Sequence, residues 1–478
     1  MIAAAAVLAT LVVLALTLPP RPFGDAPEYL LMAESWAAHG SPELRPSDVE
    51  ALRRHATSTG VGVDASDALG NYFEGRNGRF YCYHFWFYPL LTMPARLLLS
   101  AVGADVLKAG PLTNALLLGI AIAAVLLLAP VGPLARRAAA ALLLSSPVLG
   151  FLLWPHPEVL SFSMATLALV AGMRGASEVA ALCAAVASIQ NPPLALLAAF
   201  EAARPYLTGA PVRRSRRHWL TLAAAGAFVL ASPLFFLAQF RTANLAAYET
   251  AGAGSVGLGK AAGLLLDLDL GLVRYAPLTV LLALAFVPLI ARGRSRRLEG
   301  TLLAVLVILM LASSATGNWN HGTTGPSRYV VWLFPMIAYL LVLGPTATDL
   351  LLRRPRAVAA ILIVAAGAQI AVAAARGGVL SPLDYLEHSR LAGAVLDRWP
   401  AAYSPPEEVF RERTAHTEVD LDMPFIHLRD GQCRKALARW KHADLLRAQC
   451  GPLPDDMQPF FASRPPKEEK GRWVYLNY

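Results

Sequence analysis

Residues 2–19 read IAAAAVLATLVVLALTLP, and the chain continues through Pro20-Arg21-Pro22 into the string FGDAPE at 23–28. The first stretch has no charged residue and is long enough, as a helix, to cross about 30 Å of hydrocarbon. Asp25 and Glu28 follow it, so two carboxylates one helical turn apart lie at the expected membrane surface. Acidic side chains near lipid are rare, which favours a function for them. The structural alternative is that Asp25 caps a helix and Glu28 is solvated.

The composition predicts that most of the chain lies in lipid. Of 478 residues, 56% are hydrophobic and 16% are charged, whereas a soluble domain has about 25% charged residues. The net charge of +9 does not indicate a nucleic-acid partner, because arginines cluster in short gaps between apolar stretches, as in cytoplasmic loops. The clusters lie at 136–137, 174, 213–217, 292–297 and 353–356. A cleaved signal peptide is the alternative for residues 1–19, but that stretch lacks the basic start of such peptides.

With these clusters in the cytoplasm, the pattern predicts about eleven spans, with the N-terminus inside and the C-terminus outside. The spans are about 2–19, 111–131, 138–154, 158–173, 177–190, 193–207, 219–239, 272–291, 299–316, 328–346 and 357–375. The pair 177–190 and 193–207 reads equally as two short spans or as a re-entrant hairpin. Segment 86–103 contains two prolines and Arg96, and we expect it to be a helix in the membrane interface.

The expected fold is therefore an all-α polytopic membrane protein. A transmembrane module covers 1–375, its long first exterior loop (20–109) contains juxtamembrane helices, and a small exterior domain covers 376–478. The Ala-, Leu- and Arg-rich composition favours the inner membrane of a bacterium. In the exterior domain, 431–449 has the mixed charge of a helix, and a disulfide between Cys433 and Cys450 is expected outside the cytoplasm.

Polar side chains from distant parts of the sequence map to the exterior face. They are Asp25, Glu28, His84, His156, Glu158, Asp267, Asp269, Arg274, Asn318, His321, Ser327, Arg328 and Tyr329. Transfer from a lipid-linked phosphate needs such a set, because an arginine binds phosphate in bidentate fashion and a carboxylate takes the proton of an acceptor hydroxyl. A divalent metal held by Asp25 and Glu158 is a further option, since such metals accept oxygen ligands. The structural alternatives are helix caps, interfacial aromatic-belt residues and arginines that anchor lipid headgroups.

Four strings resemble the GT-C class of membrane glycosyltransferases, which includes protein O-mannosyltransferases, the lipid A aminoarabinose transferase and the oligosaccharyltransferase catalytic subunit. They are GDAPEYLLMAESW (24–36), YHFWFYPLLTMPA (83–95), WPHPEVL (154–160) and GPSRYVVWLFP (325–335). The similarity lies in their order and sidedness over about residues 1–375.

This resemblance implies a polyprenyl-phosphate-linked sugar donor and a reaction at the outer face of the membrane. Asp25 is then the general base with Glu28 beside it, and Arg328 contacts the donor phosphate, with Arg274 and Tyr329 as further candidates. Glu158 is the second acidic position, and His156, His84, Asp267 and Asp269 are candidates on the acceptor side. The chain departs from the usual pattern at Ala26, where a second acid is common, and at 156–158, where an Asp is commoner. Both departures leave the metal dependence and the choice of base open.

Two other functions compete with a transferase. A transporter or flippase of a lipid-linked or amphiphilic substrate places charged residues near mid-bilayer, often in repeated halves. The predicted spans are nearly free of charge and no half-repeat is visible. A scaffold whose C-terminal domain does the work leaves the exterior polar residues unexplained.

Overall fold

The computed structural model describes residues 1–63, 67–211, 215–250, 256–293, 295–320, 325–381, 384–418, 421–462 and 472–478. The chain is mostly helical over these ranges. The helices are α1 (Ile2–Thr17), α2 (Ala26–His39), α3 (Pro46–Thr59), α4 (Phe87–Ala101), α5 (Ala109–Leu128), α6 (Pro133–Leu144), α7 (Glu158–Met173), α8 (Ser177–Gln190), α9 (Ala195–Thr208), α10 (Arg216–Phe240), α11 (Leu245–Thr250), α12 (Leu258–Leu266), α13 (Leu272–Tyr275), α14 (Pro277–Arg292), α15 (Arg296–Ser313), α16 (Arg328–Ala338), α17 (Pro345–Arg353), α18 (Pro355–Ala375), α19 (Arg390–Arg398), α20 (Glu407–Ala415), α21 (Ala443–Cys450) and α22 (Gln458–Ala462). The strands are β1 (Glu43–Leu44), β2 (Tyr72–Glu74), β3 (Phe80–Cys82), β4 (Phe425–Arg429), β5 (Gln432–Arg439) and β6 (Trp473–Asn477).

The chain is a helical membrane protein. Four of the described helices are long and apolar enough to cross a membrane, namely Val106–Leu128, Arg216–Phe240, Arg328–Arg353 and Pro355–Ala375. Four more, α1, α7, α8 and α14, are apolar but shorter. Every predicted span overlaps a described helix. However, only the first four helices named above are both long enough and apolar enough to cross a membrane, so the count of about eleven spans stays a prediction.

Prolines end two helices where the sequence predicts continuous spans. The predicted span 138–154 is instead α6 followed by a 3-10 turn at Pro147–Phe151. The predicted span 272–291 is divided into α13 and α14 by Ala276, which precedes Pro277 and has φ −142°. A residue before proline is driven out of the helical region by the proline ring, which explains both breaks. Segment 177–207 forms two helices, α8 and α9, which pack against each other on either side of a turn at Pro192–Leu194.

The expectation of an all-α chain is wrong, because two small antiparallel sheets are present. Segment 20–109, which the sequence predicts to be an exterior loop, contains the sheet β1-β3-β2 together with helices α2, α3 and α4, and the C-terminal segment contains the sheet β4-β5-β6. The helix predicted within 431–449 begins only at Ala443, since β5 occupies the first half of that stretch. Strand β5 pairs with a neighbour on each side and buries Leu437 completely, so tertiary pairing overrides the local charge pattern. A disulfide joins Cys433 in β5 to Cys450 in α21, with their Cα atoms 5.5 Å apart.

The helix core brings three chain segments together at one end of the bundle. Helix α7 packs against α5, α8 and α16, and α1 packs along α5. The segment after α1 contacts the bend before α7 through Phe23 and Trp154, and it contacts the start of α16 through Asp25 and Arg328, so these three helix ends meet at the same end of the bundle. Each of these ends carries one of the predicted acidic, imidazole or guanidinium side chains.

Candidate functional site

Asp25 is held at the start of α2 by the segment that precedes it. Gly24 has φ +54°, a left-handed conformation that glycine adopts without steric cost. The backbone N–H of Arg21 donates to the carbonyl of Leu153 (2.9 Å), and Trp154 Nε1 donates to the carbonyl of Phe23 (2.8 Å). The turn that carries Asp25 is thus fixed to the bend before α7.

The side chain of Asp25 pairs with Arg328, which lies 303 residues later in the chain. Asp25 occupies the N-cap position of α2, but its side chain makes no capping hydrogen bond. It accepts a hydrogen bond from Arg328 Nη1 instead. His84 Nε2 and His156 Nε2 lie 3.5 and 3.6 Å from Asp25 Oδ2, and Arg328 Nη1 lies 3.4 Å from His156 Nε2. The candidate base, the candidate phosphate ligand and both predicted imidazoles therefore form one cluster.

Aromatic rings hold the two imidazoles in place. The His156 ring stacks on Trp154, with centroids 3.7 Å apart and an interplanar angle of 5°. Tyr29 stacks on His84 (5.3 Å) and meets His156 edge-on (4.8 Å). These contacts restrict the ring rotations by which either histidine could leave the carboxylate.

The environment separates the pKa values of the two predicted carboxylates. Burial alone would raise the pKa of Asp25, but Arg328, His84 and His156 together hold it well below its usual range. Burial raises the pKa of Glu28, although the charge of His84 opposes that rise. Two neighbouring carboxyls with opposite shifts are typical of an acid–base site, and this pattern keeps Asp25 ionised.

The second acidic position lies on the other side of the His156 ring. His156 Nδ1 is 3.5 Å from Glu158 Oε1, and Glu158 is the first residue of α7. Glu28 Oε1 accepts a hydrogen bond from Asn71 Nδ2 (2.6 Å). His156 thus links Glu158 to Asp25, whereas Glu28 is bound by Asn71, the residue before β2.

Buried polar atoms without a hydrogen-bond partner concentrate around Asp25. Within the ranges that the structure describes, Glu28 Oε2, Glu158 Oε2 and Ser327 Oγ have no hydrogen-bond partner. His84 Nε2 and His156 Nδ1 make no closer polar contact than a carboxylate oxygen at 3.5 Å. Native proteins rarely leave such atoms unsatisfied, and each one calls for an explanation such as strain, catalysis or a bound group. Their concentration here supports a functional role for the cluster.

A polar cavity of ≈ 500 Å³ opens beside Asp25 and Glu28. The Asp25 side chain keeps 16% of its surface exposed, so a molecule in the cavity can reach it. The opposite wall comes from the C-terminal domain and includes Tyr385, Glu408 and Glu412.

Other predicted site residues lie in a second cluster, which joins the segment before α13 to the C-terminal segment (376–478). Asp267 Oδ2 accepts a hydrogen bond from Tyr403 (3.0 Å), and Asp269 Oδ1 accepts one from the backbone N–H of Ser389 (2.7 Å). Arg274 pairs with Asp384 at 3.1 Å. The structure does not bring these predicted residues to Asp25, and their contacts fit a structural joint between the two parts.

The remaining predicted residues flank the first cluster. Tyr329 follows Arg328, whose guanidinium carbon lies 5.7 Å from the centre of the Tyr329 ring. Asn318 lines the cavity beside Asp25, and Ser327 is buried next to Arg328. His321 lies outside the described residues.

The option of a metal held by Asp25 and Glu158 gains no support from the geometry. Across the described ranges, no group of three or more His, Cys, Asp or Glu side chains is arranged to hold a metal ion. Arg328 already pairs with Asp25, and its positive charge opposes the approach of a cation to that carboxylate.

Sequence reasoning missed several residues that shape the site. Tyr29 lies four residues after Asp25, a spacing that puts both on one face of a helix and could have identified it. Glu408 and Glu412 have the same four-residue spacing in α20. No sequence pattern around Trp154 or Asn71 indicates their roles, because these depend on contacts with residues far away in the sequence.

Comparisons with protein-family models, with curated proteins and with solved structures found no match to this chain. The functional proposal therefore depends on the residues of the site and their geometry.

Proposed function

We propose that this protein is a membrane glycosyltransferase that moves a sugar from a polyprenyl-phosphate donor to an acceptor at the extracytoplasmic face. Asp25 is the general base and Arg328 binds the donor phosphate. The proposal includes the predicted topology, with about eleven membrane-crossing helices and an extracytoplasmic C-terminal domain. The observation that carries it is the direct pairing of Asp25 with Arg328, 303 residues apart in the chain, inside a cluster that contains two histidines.

The chemistry follows from the positions of these groups. The acceptor hydroxyl oxygen attacks the anomeric carbon with inversion, and Asp25 takes the proton that this oxygen loses. The bond between the anomeric carbon and the phosphate oxygen breaks, and its electron pair leaves with the phosphate. Arg328 offers a planar fork of N–H donors that matches the developing phosphate charge.

Arg328 would contact both the Asp25 carboxylate and the donor phosphate, so donor binding would affect the ability of Asp25 to act as a base. The guanidinium contributes to the low pKa of Asp25, and a carboxylate stabilised in this way is a weak base. A donor phosphate that draws on the same guanidinium weakens this stabilisation, so the proton affinity of Asp25 rises as the donor binds. Glu28, whose pKa is raised by burial, is the neighbouring group that can accept or relay the proton.

One observation favours the transporter or flippase alternative. Glu201 and Arg204 are buried in α9, where Arg204 Nε donates to Glu201 Oε2 at 2.6 Å, and charges inside a helix bundle often mark a substrate pathway. However, Arg204 Nη1 also donates to Tyr339 Oη (3.2 Å) in a π-helical turn at Tyr339–Leu343. A fully paired arginine fits a structural clamp better than a substrate site.

Sugar transfer from labelled polyprenyl-phosphate sugars in a membrane extract tests the proposal. The purified variants are Asp25→Asn and Arg328→Ala. We expect each to lose at least about a hundredfold in rate, which is typical for loss of a general base and for loss of a group that stabilises developing charge. Glu34→Gln is the matched control. It breaks another buried ion pair of the first exterior loop, between Glu34 and Arg96 (2.7 Å), without altering the proposed chemistry.

Thermal unfolding of the same preparations separates catalysis from folding. We expect Glu34→Gln to lower the unfolding midpoint while keeping most of the transfer rate of its folded fraction. An Asp25→Asn protein that transfers sugar at the wild-type rate would contradict the base assignment. Movement of labelled lipid across the membrane without any glycosylated product would favour the flippase.

A further inference from the structure

All the charged residues that line the cavity beside Asp25 are acidic. Asp25 and Glu28 lie on the membrane-module side, and Glu408, Glu412 and Glu418 lie on the side of the C-terminal domain. Within the described part of the chain, no Lys, Arg or His lines this cavity. That is unexpected in a protein with a net charge of +9, where a random surface would carry more cations than anions.

An independent observation at the inner end of the cavity points to a ligand. Glu28 is only 4% exposed, and its Oε2 has no hydrogen-bond partner among the described residues. The cost of leaving a buried carboxylate oxygen unsatisfied is removed when a donor group reaches it. A ligand with N–H or O–H groups supplies such a donor.

The acids of the opposite wall repel one another. Burial and the charge of Glu412 raise the pKa of Glu408 to about 7, although the N–H groups of Trp319 and Asn320 oppose the shift. Burial and the charge of Glu418 raise the pKa of Glu412. Arg411 opposes both shifts, but it lines a different cavity, so the charges that α20 presents to this cavity are acidic.

We propose that this cavity binds the acceptor and that the acceptor carries a protonated amine beside the hydroxyl that receives the sugar. This inference rests on the proposed function, because it takes Asp25 to be the base that contacts the acceptor hydroxyl. The ammonium group lies among Glu28, Glu412 and Glu418, which together supply its countercharge. Amino sugars and hydroxylated amines belong to this class.

The geometry assigns the cavity to the acceptor rather than to the donor. Arg328 pairs with Asp25 but does not line the cavity, so the cavity offers a phosphate no guanidinium. A phosphate in the cavity would meet five acids and be repelled. A divalent metal is disfavoured, since no described group of three or more ligating side chains is arranged around one.

Glucosamine and glucose are matched probes, because they share a ring and differ in charge. Their binding to the detergent-purified full chain is measured by titration calorimetry at low salt. We expect glucosamine to bind at least about fivefold more tightly than glucose, the ratio that one exposed ion pair supplies. The variants Glu412→Gln and Glu418→Gln should each weaken glucosamine binding about fivefold and leave glucose unchanged. Glu407→Gln is the control on the same helix, since Glu407 lines a different cavity.

The outcomes separate this inference from the proposed function, because binding needs no sugar transfer. Equal binding of the two sugars, or glucosamine binding unaffected by both Gln variants, would overturn the inference even if Asp25→Asn abolishes transfer. Mg²⁺ binding that excludes glucosamine would also overturn it, in favour of a metal site. Charge-dependent glucosamine binding together with full transfer by Asp25→Asn would support the cavity and contradict the base.

Discussion

Asp25 owes its chemistry to side chains from three other parts of the chain. Arg328, His84 and His156 all contact its carboxylate, and Trp154 fixes both the His156 ring and the carbonyl of Phe23. The ion pair with Arg328 is mostly buried, and removing one partner of such a pair typically costs about 3–5 kcal/mol. A change at Asp25 therefore affects stability and catalysis together, and the two must be measured separately.

Trp154→Phe tests the orienting role of the indole. Phenylalanine keeps an aromatic ring under His156 but loses the N–H that donates to the carbonyl of Phe23. Leaving that carbonyl unpaired costs about 1–3 kcal/mol and loosens the turn that carries Asp25. We expect a roughly tenfold lower transfer rate, measured beside the unfolding midpoint.

Trp332→Phe is the control for this change. Trp332 is also buried, but its Nε1 has no hydrogen-bond partner among the described residues. An equal loss of rate in both variants would show that indole volume, rather than the hydrogen bond of Trp154, is what matters.

The packing of helices α5 and α20 sets the positions of the site residues. Helix α5 approaches the bend before α7 so closely at Gly110 that an added Cβ would lie 2.7 Å from Pro155 Cβ and 2.9 Å from Pro155 Cα. Pro155 precedes His156, so the spacing of these two elements determines where the imidazole lies. On the other side, α20 holds the chain before α16, because Glu408 accepts hydrogen bonds from the backbone of Trp319 (2.6 Å) and Asn320 (3.2 Å).

Gly110→Ala should displace the bend and with it His156. We expect transfer to fall by more than about tenfold and the unfolding free energy by about 1–3 kcal/mol, the usual cost of overpacking. Gly150→Ala is the matched control, since no atom lies within 4 Å of a Cβ built there. Wild-type transfer by the Gly110 variant would mean that the bend tolerates displacement without loss of function.

Glu408 predicts a pH dependence of stability. Burial, with the charge of Glu412, raises its pKa to about 7, so the folded protein binds this proton more tightly than the unfolded chain does. Its contribution to stability is therefore full below the ordinary pKa of about 4.3 and declines as the pH rises to about 7. Glu408→Gln should show a smaller drop in unfolding temperature than the wild type between about pH 4 and about pH 8, two values that bracket the range over which this contribution declines.

The exposed Glu50 of α3 provides the control for this measurement. Glu50→Gln should keep the wild-type pH dependence, because this side chain is exposed to solvent in the folded protein as it is in the unfolded chain. The same drop in Glu408→Gln as in the wild type would contradict the assignment of this transition to Glu408.

At the scale of the whole molecule, two clusters lie where the C-terminal segment (376–478) contacts the helix bundle. One is the acidic cavity beside Asp25, and the other is the joint in which Asp267 and Asp269 bind Tyr403 and Ser389. Residues from nearly all of the sequence meet at one end of the bundle. The C-terminal segment therefore packs over the end of the bundle that carries Asp25.

The sequence predicted which residues face this end, but it did not predict their partners. Hydrophobic stretches and arginine clusters located the helices, and so Asp25, His156 and Arg328 were expected on one face. That Arg328 pairs with Asp25, whereas Arg274 pairs with Asp384, depends on packing between distant segments. Strand β5 was missed for the same reason, because its residues are buried by pairing with β4 and β6.

Sidedness is testable with single cysteines and a membrane-impermeant thiol reagent. Leu391→Cys lies in α19 of the C-terminal domain, and Leu391 is 53% exposed. Arg353→Cys lies at the end of α17, in an arginine cluster predicted to be cytoplasmic. In intact spheroplasts we expect Leu391→Cys to react and Arg353→Cys to react only after permeabilisation. Labelling of Arg353→Cys in intact spheroplasts would show that this loop is extracytoplasmic and would contradict the predicted topology.

A double-mutant cycle on Asp25 and Arg328 tests the shared site most directly. Transfer rates are measured for Asp25→Asn, for Arg328→Ala and for the double variant, each corrected for its folded fraction. Residues that act as one unit are non-additive, so we expect the double variant to be no slower than the slower single variant. Rate losses that multiply in the double variant would show that the two residues act independently and would contradict a common site for base and phosphate.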